Sequence, residues 1–312
     1  MKTIKLILFL ICSLFFSNVK AQQADITIET KHNDDRSVTF SYKKQNFGTY
    51  HLRLWFTSLD NAYSKGYFRE VRGPGGQLFI LKPTNKEQGI SLSYKYLFVR
   101  GELKPEFDTN YVYFLPVALH KETPVFRMYN VNEQYFGAEK PKNWVSFQFF
   151  VQPGDTAFAA RKGLVVAITE DKDYNTEFEI SYQSNINSIL VEHGDGTLAK
   201  YEGFEKLGVF VEEGQTVYPG TPLGTISKYD NREQGQLRFS AYYLDYIEKE
   251  ENANKSLKDR ISPYAYIDPM FLTDNGILKL EARKSYKAVW DNDLMQKELT
   301  KRERKNLLKL QR

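Results

Sequence analysis

The chain contains 312 residues, and its 43 Lys and Arg nearly balance its 39 Asp and Glu, which leaves a formal net charge of +4. A balance this close to neutral provides no extended basic surface, so nucleic acid is not expected as a partner. The length suits two domains. The 21 Tyr and 22 Phe lie mostly in short runs between turn-forming residues, which favours β structure throughout.

The first residues, MKTIKLILFLICSLFFSNVKA, are basic, then continuously apolar, and they end in a small residue. This pattern predicts a signal peptide over residues 1–21, with cleavage after Ala21. The apolar run Ile7–Phe16 is too short to cross about 30 Å of hydrocarbon, which argues against a membrane anchor. We therefore expect an exported protein without a later transmembrane segment, in the periplasm or, as the alternative, outside the cell. Cleavage removes the one cysteine, Cys12, and three lysines, so the mature chain carries a formal charge of about +1 and no disulfide.

Residues 22–138 are predicted to form an immunoglobulin-like β-sandwich. Turn signals such as NDD, GPGG and EFDTN separate six strand candidates, which are ADITIET, SVTFSYKK, TYHLRLWFT, QLFILKP, GISLSYKYLFV and NYVYFLPVA. Several short alternating strands with frequent turns are typical of such a sandwich. No residue pattern in this half indicates catalysis.

Residues 139–273 follow a different pattern, in which short apolar strands alternate with glycine-rich turns, as in VFVEEGQTVYPGTPLGTIS. Gly214, Gly220 and Gly224 are expected at the bends of a tightly coiled sheet, because glycine tolerates positive φ and close backbone contact. The region is therefore predicted to be a β-roll, which makes the whole chain all-β.

The C-terminal extension, residues 274–312, ends in the basic segment WDNDLMQKELTKRERKNLLKLQR. The spacing of its apolar residues predicts a patchy amphipathic helix, and those residues are Met295, Leu299, Leu307, Leu308 and Leu310. Two interpretations stay open, a helix that docks on a partner and a frayed basic tail.

One strand candidate, GQLRFSAYY, carries a polar face that a core strand does not need. Side chains alternate along a strand, so Leu237 and Phe239 face one side, whereas Gln236 and Arg238 face the other side together with Tyr242. An amide and a guanidinium two residues apart indicate a groove that holds, or once held, a ligand.

The segments of the roll resemble the lysostaphin-type (LytM-like) zinc endopeptidases, a family that cuts peptide cross-links in bacterial peptidoglycan. GDTAFAARKGLVV is similar to the family's Gly-Thr-Pro-Val-Tyr-Ala-Ala stretch, and SILVEHGDGTLAKYEGF is similar to its hairpin with Tyr-x-His. VEEGQTVYPGTPLGTI resembles its glycine-rich turn, and QLRFSAYY stands where the family has its His-x-His strand. The resemblance covers residues 139–273 and implies a LytM-like β-roll in an exported bacterial subgroup.

The resemblance also implies where zinc would be bound, and this chain lacks the ligands. Trp144 stands in the position of the first ligand, a His, Gln148 in that of an Asp, and Arg238 in that of the second His. The two further histidines of the family's site correspond to Gln236 and Gly203. Zinc requires imidazole, thiolate or carboxylate donors, and a guanidinium adds positive charge instead. We therefore predict no metal, no cofactor and no zinc-dependent catalysis.

The first hypothesis is a catalytically inactive binding, scaffold or regulatory subunit of the cell envelope. Arg238 is then expected either to bind a peptide carboxylate or to pair with Glu202 inside a plugged site. Trp144, Tyr201 and Tyr242 are expected to offer an aromatic platform to a peptide or a sugar. The expected partner is another cell-envelope or outer-membrane protein, with peptidoglycan as the alternative.

The second hypothesis is an active cell-wall hydrolase that uses residues outside the family pattern. The carboxylates near the predicted hairpins are Asp155, Glu192 and Asp195. A catalytic pair would need a defined separation and one acid with a raised pKa, neither of which the sequence reveals. Aspartate is also common in turns such as PGDT and HGDG. His193, beside one of these hairpins, is interpreted as a structural or surface histidine.

Overall fold

The computed structural model describes residues 26–129, 143–173, 186–228, 234–247 and 262–310, without the side chains of Tyr129 and residues 306–310. The predicted signal peptide, residues 1–21, lies outside these ranges. Within them, no helix is long and apolar enough to cross a membrane. The described chain consists mostly of β-strands and ends in two short helices, so the predicted all-β class with a C-terminal helix is confirmed.

Six strands form a two-layer sandwich, and they are β1 (Ile26–His32), β2 (Val38–Lys44), β3 (Tyr50–Asp60), β4 (Tyr67–Val71), β5 (Gly75–Leu81) and β6 (Ser91–Arg100). One three-stranded sheet has the order β1-β2-β5 and the other has the order β4-β3-β6. Tyr50, Leu52 and Leu54 point inward from alternate positions of β3, where they are buried in cores shared with Ile26 and Phe40 of the facing sheet. The predicted N-terminal β-sandwich is confirmed.

The sandwich ends earlier in the chain than the sequence predicted. β7 (Val112–Phe114) comes from the last sandwich candidate, yet it pairs in parallel with a strand at residues 270–272. β8 (Glu122–Tyr129) pairs with β9 (Val145–Val151). Both strands therefore belong to the second half, so the boundary at residue 138 is wrong and the described sandwich ends with β6. Apolar alternation identifies a strand, but it does not tell which sheet the strand joins.

A nine-stranded antiparallel sheet organises the second half of the chain. The remaining elements are β10 (Thr156–Phe158), β11 (Gly163–Thr169), β12 (Ser188–Glu192), β13 (Leu198–Glu202), β14 (Phe204–Val209), β15 (Thr216–Val217), β16 (Pro222–Ile226), β17 (Gly235–Leu244), β18 (Tyr264–Ile267), β19 (Met270–Thr273), β20 (Gly276–Leu278), β21 (Lys284–Lys287), α1 (Asn292–Gln296) and α2 (Lys301–Leu310). The large sheet has the order β15-β11-β12-β13-β17-β9-β8-β21, and β18 also pairs with β17. Two three-stranded sheets, β10-β16-β14 and β20-β19-β7, share its main core, which includes Phe147, Phe149 and Phe239.

Two of the three glycines predicted at bends lie in turns with positive φ, namely Gly214 at 88° and Gly220 at 80°. Gly224 lies instead inside β16, where a Cβ would come within 2.7 Å of the carbonyl oxygen of Gly208 in β14. This position therefore requires glycine because two strands approach closely, and the prediction of a bend there is wrong.

The predicted helical extension, residues 274–312, is only partly helical, because its first third supplies β20 and β21 to the second half. Asp291 caps α1 by accepting a hydrogen bond at 2.7 Å from a backbone N–H of the first turn. Met295 and Leu299 are buried in a small cluster with Phe114, so this segment packs on its own chain. The remaining predicted apolar side chains lie outside the described residues, and they are Leu307, Leu308 and Leu310.

The sandwich packs against one end of the nine-stranded sheet. The backbone N–H and the hydroxyl of Thr49 donate to the carboxylate of Glu192 at 2.7 and 2.5 Å. The hydroxyl of Tyr264 donates to the carbonyl of Arg100 at 3.0 Å. These bonds join β2–β3 and β6 of the sandwich to β12 and β18 of the second half, so the two halves share an interface.

Candidate functional site

The centre of the nine-stranded sheet carries a row of polar side chains on the face opposite the main core. Arg238 of β17 lies directly across from Gln148 of β9 on one side and from Glu202 of β13 on the other. Leu237 and Phe239 face the core, so strand alternation places Arg238 on the opposite face. The structure therefore brings Gln148 and Arg238 together, as we expected from the sequence.

Two members of this polar row, Arg238 and Gln236, are buried and contact each other. Only 7% of Arg238 and 5% of Gln236 are exposed, and Nε of Arg238 lies 3.4 Å from Oε1 of Gln236. The amide of Gln148 lies 3.2 Å from a methionine sulfur in β8. Glu202 forms an ion pair with Lys200 at 2.6 Å. Arg238 and Gln236 are thus buried, whereas Gln148 and Glu202 on the neighbouring strands are partly exposed.

Gly203 lies beside the row, where its backbone position excludes any larger residue. Its φ is 113°, and a Cβ there would come within 2.2 Å of the carbonyl oxygen of Gln236. The sequence suggested only that a family histidine is missing here. The structure adds the reason why the position accepts glycine alone, which is the contact between β17 and the chain after β13.

Trp144 and Tyr242 lie together at an aromatic end of the same face. Tyr266 lies between them, with its ring 6.4 Å from that of Trp144 and 5.3 Å from that of Tyr242. Burial raises the pKa of Tyr242 well above its ordinary value, and its tyrosine neighbours add to the shift. Trp144 directly precedes β9, and the four residues of extended chain from Trp144 to Gln148 span about 13 Å. The structure does not bring Trp144 next to Arg238.

The expectation that Tyr201 joins the aromatic platform is wrong. Tyr201 pairs in register with Phe239, so it lies on the core side of the sheet, where it is completely buried. Its ring packs 5.2 Å from that of Phe239, and its hydroxyl accepts a hydrogen bond from the backbone N–H of Ala160 at 2.9 Å. Tyr201 is therefore a core residue of the roll, because its parity along β13 differs from that of Glu202.

The residues of the row do not fit a zinc ion. A guanidinium has no lone pair to offer, and neutral amides are poor donors compared with imidazole or carboxylate. Across the described ranges, no group of three His, Cys, Asp or Glu side chains is arranged to hold a metal.

The carboxylates considered for an alternative hydrolase each have a structural partner. Asp155 pairs with Lys121, and Glu192 accepts the two hydrogen bonds from the sandwich. Asp195 pairs with Arg161 at 2.7 Å. Burial raises the pKa of Asp195, but Arg161 and further hydrogen bonds outweigh it and hold the pKa below its ordinary value. A general acid would need the opposite shift.

A buried arginine that the sequence analysis missed joins the C-terminal segment to the roll. Arg161 is 3% exposed, and its guanidinium forms ion pairs with Glu298 at 2.5 Å and with Asp195 at 2.7 Å. It also lies 3.7 Å from the ring centre of Tyr111 and donates to the hydroxyl of Tyr113 at 3.3 Å. Nothing in the segment AARKG distinguishes this arginine from an exposed one, since its partners are distant in sequence.

His193 is a buried structural histidine, with 2% of its surface exposed. Its Nδ1 lies 2.7 Å from the carbonyl oxygen of Lys162, so Nδ1 carries the proton and donates. Burial, together with the nearby charge of Arg161, lowers the pKa of His193 to about 3. The imidazole is therefore neutral at physiological pH.

Comparisons with known proteins give distant structural likenesses only. No family model matches the sequence, and no match was found among curated proteins. A protein from Pseudomonas aeruginosa described as a peptidase M23 is 13% identical to this chain, with a TM-score of 0.29. The match covers 61% of this chain and 82% of that protein. The M23 metalloprotease pseudoalterin, from the deep sea, is 16% identical to this chain, with a TM-score of 0.31. The match covers 58% of this chain and 96% of pseudoalterin.

Csd3 of Helicobacter pylori is 11% identical to this chain, with a TM-score of 0.30. The match covers 77% of this chain and 72% of Csd3. TM-scores near 0.3 assign neither a family nor an activity. Membership in the LytM-like family therefore stays a prediction from the sequence motifs.

Proposed function

We propose that this chain is a catalytically inactive, peptidase-like protein of the bacterial cell envelope that acts as a binding, scaffold or regulatory subunit for another envelope protein. The observation that carries the proposal is Arg238, a guanidinium that is 7% exposed at the position where the resemblance to LytM-like endopeptidases implies a zinc-binding His. The N-terminal pattern of a signal peptide supports export.

The chemistry of the polar row supports inactivity. The guanidinium of Arg238 adds positive charge to a buried site, and positive charge repels a divalent cation there. Gln148 and Gln236 contribute neutral amides beside Arg238. Hydrolysis of the family's kind needs a metal-bound water, and this set of side chains supplies no ligand for the metal.

The packing of the sandwich supports the same proposal. Glu192 and Tyr242 lie on the face that carries Arg238, toward the end where the sandwich packs. Tyr242 is 9% exposed. A peptide cleaved at this face would need an open groove several residues long, whereas Gln236, Arg238 and Tyr242 in the described part of this face are each less than 10% exposed.

Exposed apolar side chains at a sheet edge support a protein partner rather than peptidoglycan. Leu207 is 72% exposed and Phe210 is 55% exposed. Leu207 belongs to β14, and Phe210 is the first residue after it. β14 is an edge strand of its three-stranded sheet. Large apolar residues at an exposed strand edge are typical of surfaces that bind another protein.

The variant Arg238→Ala tests whether the arginine stabilises a plugged site or binds a ligand. We expect a loss of about 2 kcal/mol in the free energy of unfolding, because the buried side-chain oxygen of Gln236 loses a donor and the removed side chain leaves a void; Glu202 pairs with Lys200 and keeps its partner. Sedimentation with purified peptidoglycan sacculi should be the same for wild type and variant, and elemental analysis should find no stoichiometric zinc. Arg69→Ala removes an exposed arginine and serves as the control, with a change below about 0.5 kcal/mol. Binding to sacculi that Arg238→Ala abolishes at unchanged stability would favour the peptidoglycan alternative and contradict our proposal.

The variant Phe210→Asp tests the protein partner. Chemical cross-linking in envelope extracts should give a defined product with the wild type that Phe210→Asp loses. Tyr63→Asp, a change at a residue of the sandwich that is 78% exposed, should keep the product. Equal products from all three proteins would reject the edge of β14 as the binding surface.

A further inference from the structure

The exposed leucine of β14 is held in an uncommon backbone conformation. Leu207 has a φ of 56°, in the left-handed region that residues other than Gly, Asn and Asp rarely adopt. Its side chain is 72% exposed, so packing in the core does not account for a leucine at this position. Backbone conformations of this kind are concentrated at functional sites. The chain therefore presents a large apolar side chain to solvent at a position that favours glycine or asparagine.

Phe210 extends the same apolar surface. Its backbone N–H donates to the carbonyl of Leu223 at 2.9 Å, so pairing with β16 continues one residue beyond β14. Three residues of extended chain span at most about 11 Å, which places Leu207 and Phe210 within reach of one short partner segment. These two residues, with the acidic side chains beside them, form a surface that is called the β14 edge below.

Two acidic segments of the chain meet at the β14 edge. The backbone N–H of Leu207 donates to the carbonyl of Glu170 at 2.9 Å. The carboxylate of Glu213 accepts a hydrogen bond from the backbone N–H of Ile168, also at 2.9 Å. Ile168 and Glu170 are two residues apart, so these bonds bring the loop after β11 and the chain after β14 together. The two segments are residues 170–173 and 205–213.

The lysines of the two segments do not neutralise their carboxylates. Six residues of these segments are acidic and two are lysines, a formal excess of four negative charges. Lys172 pairs with Asp171 at 3.1 Å, and Lys206 pairs with Asp173 at 2.6 Å. The other four acidic residues form no ion pair within the described part of the chain, and they are Glu170, Glu205, Glu212 and Glu213. The apolar surface is therefore bordered by negative charge.

We propose that the β14 edge binds a segment of another envelope protein in which apolar side chains alternate with lysine or arginine. The apolar side chains of that segment cover Leu207 and Phe210, and its cations face the surrounding carboxylates. An acidic segment would place like charges together, so charge complementarity selects a basic one. This proposal rests on the proposed function, and it adds the chemistry of the protein partner.

Three synthetic peptides test the chemistry of the partner, and they are KLKLKLK, ELELELE and KSKSKSK, each labelled with a fluorophore. Fluorescence anisotropy with the purified protein measures their affinities. We expect KLKLKLK to bind, and to bind less tightly as the salt concentration rises from about 0.05 to about 0.5 M, because salt screens exposed charges. ELELELE should not bind. KSKSKSK should bind at least about tenfold more weakly than KLKLKLK, because it lacks apolar side chains.

The variant Leu207→Asn separates a role in binding from a role in stability. Asparagine tolerates positive φ better than leucine, so the melting temperature should stay the same or rise, while the affinity for KLKLKLK falls by about tenfold. Phe210→Ser should weaken the binding to a similar extent. Ile277→Thr is the matched control, because Ile277 is 56% exposed on the edge strand β20 and Phe210 is 55% exposed. This control should bind the peptide as the wild type does.

A pair of glutamate variants tests the contribution of charge. Glu212→Gln should weaken the binding of KLKLKLK about threefold, as expected for one exposed ion pair. Glu106→Gln removes an exposed carboxylate that precedes β7 and should leave the affinity unchanged.

Three results would overturn the proposal. They are that KLKLKLK does not bind the wild type, that ELELELE binds as tightly as KLKLKLK, or that Leu207→Asn and Phe210→Ser bind KLKLKLK like the wild type. If a cross-linked product in envelope extracts is still lost with Phe210→Asp, the proposed function stands and only the chemistry assigned to the partner is wrong.

Discussion

Replacing Arg161 should destabilise the whole second half of the molecule, because the residue neutralises two carboxylates from different segments. Arg161→Met keeps much of the side-chain volume but removes the guanidinium. Glu298 and Asp195 would then face each other without a cation, with 21% and 18% of their side chains exposed. The contact with the ring of Tyr111 at 3.7 Å would be lost as well.

The expected magnitude follows from these contacts. Removing one partner of a buried ion pair costs about 3–5 kcal/mol, and a desolvated cation–π contact contributes about 2 kcal/mol. The two effects overlap in one cluster and do not simply add, and water reaches part of both carboxylates. We therefore expect a loss of about 4 kcal/mol, which corresponds to a fall of about 8–16 °C in the melting temperature.

The assay is urea unfolding followed by circular dichroism, with the free energy extrapolated to water. Lys43→Met is the matched control, because its ammonium also forms an ion pair, with Glu29 at 2.7 Å, but is 68% exposed. The control should lose less than about 1 kcal/mol. Adding Glu298→Met to Arg161→Met should recover part of the loss, since it removes one stranded charge. A loss below about 1 kcal/mol for Arg161→Met would refute the reasoning.

Three further changes test other parts of the structure. Burial raises the pKa of Glu303, but its hydrogen bonds, of which the one from Lys162 is the strongest, lower the pKa from the ordinary 4.5 to about 2. The carboxylate therefore stabilises the fold above about pH 4.5, and this stabilisation is lost as the pH falls toward 2. Hydrogen exchange in α2 should therefore differ between wild type and Glu303→Gln at neutral pH and converge as the pH falls through that range. Gly203→Ala should cost more than about 2 kcal/mol in urea unfolding, because its Cβ would overlap the carbonyl oxygen of Gln236. Tyr201→Phe should cost about 1–3 kcal/mol in the same assay, because it leaves a buried backbone N–H without its acceptor.

The polar row at Arg238 could be predicted because it depends on alternation within single strands. Gln236 and Arg238 share a face whatever the neighbouring strands do, and the segment order of the resemblance identified Gln148 as their neighbour. Tyr201 could not be assigned in the same way. Its face depends on the register between β13 and β17, and a shift of one residue would exchange it with Glu202.

Local patterns of apolar, polar and glycine residues were sufficient to predict the all-β class, the N-terminal sandwich and the polar face of β17, because strand alternation and turn formation act over a few residues. The end of the sandwich, the cluster around Arg161 and the acidic surroundings of the β14 edge arise only in the folded chain. Arg161 pairs with carboxylates 34 and 137 residues away along the chain. Such contacts depend on which strands become neighbours. That arrangement is selected by the burial of the whole core and not by the structural preference of any one segment.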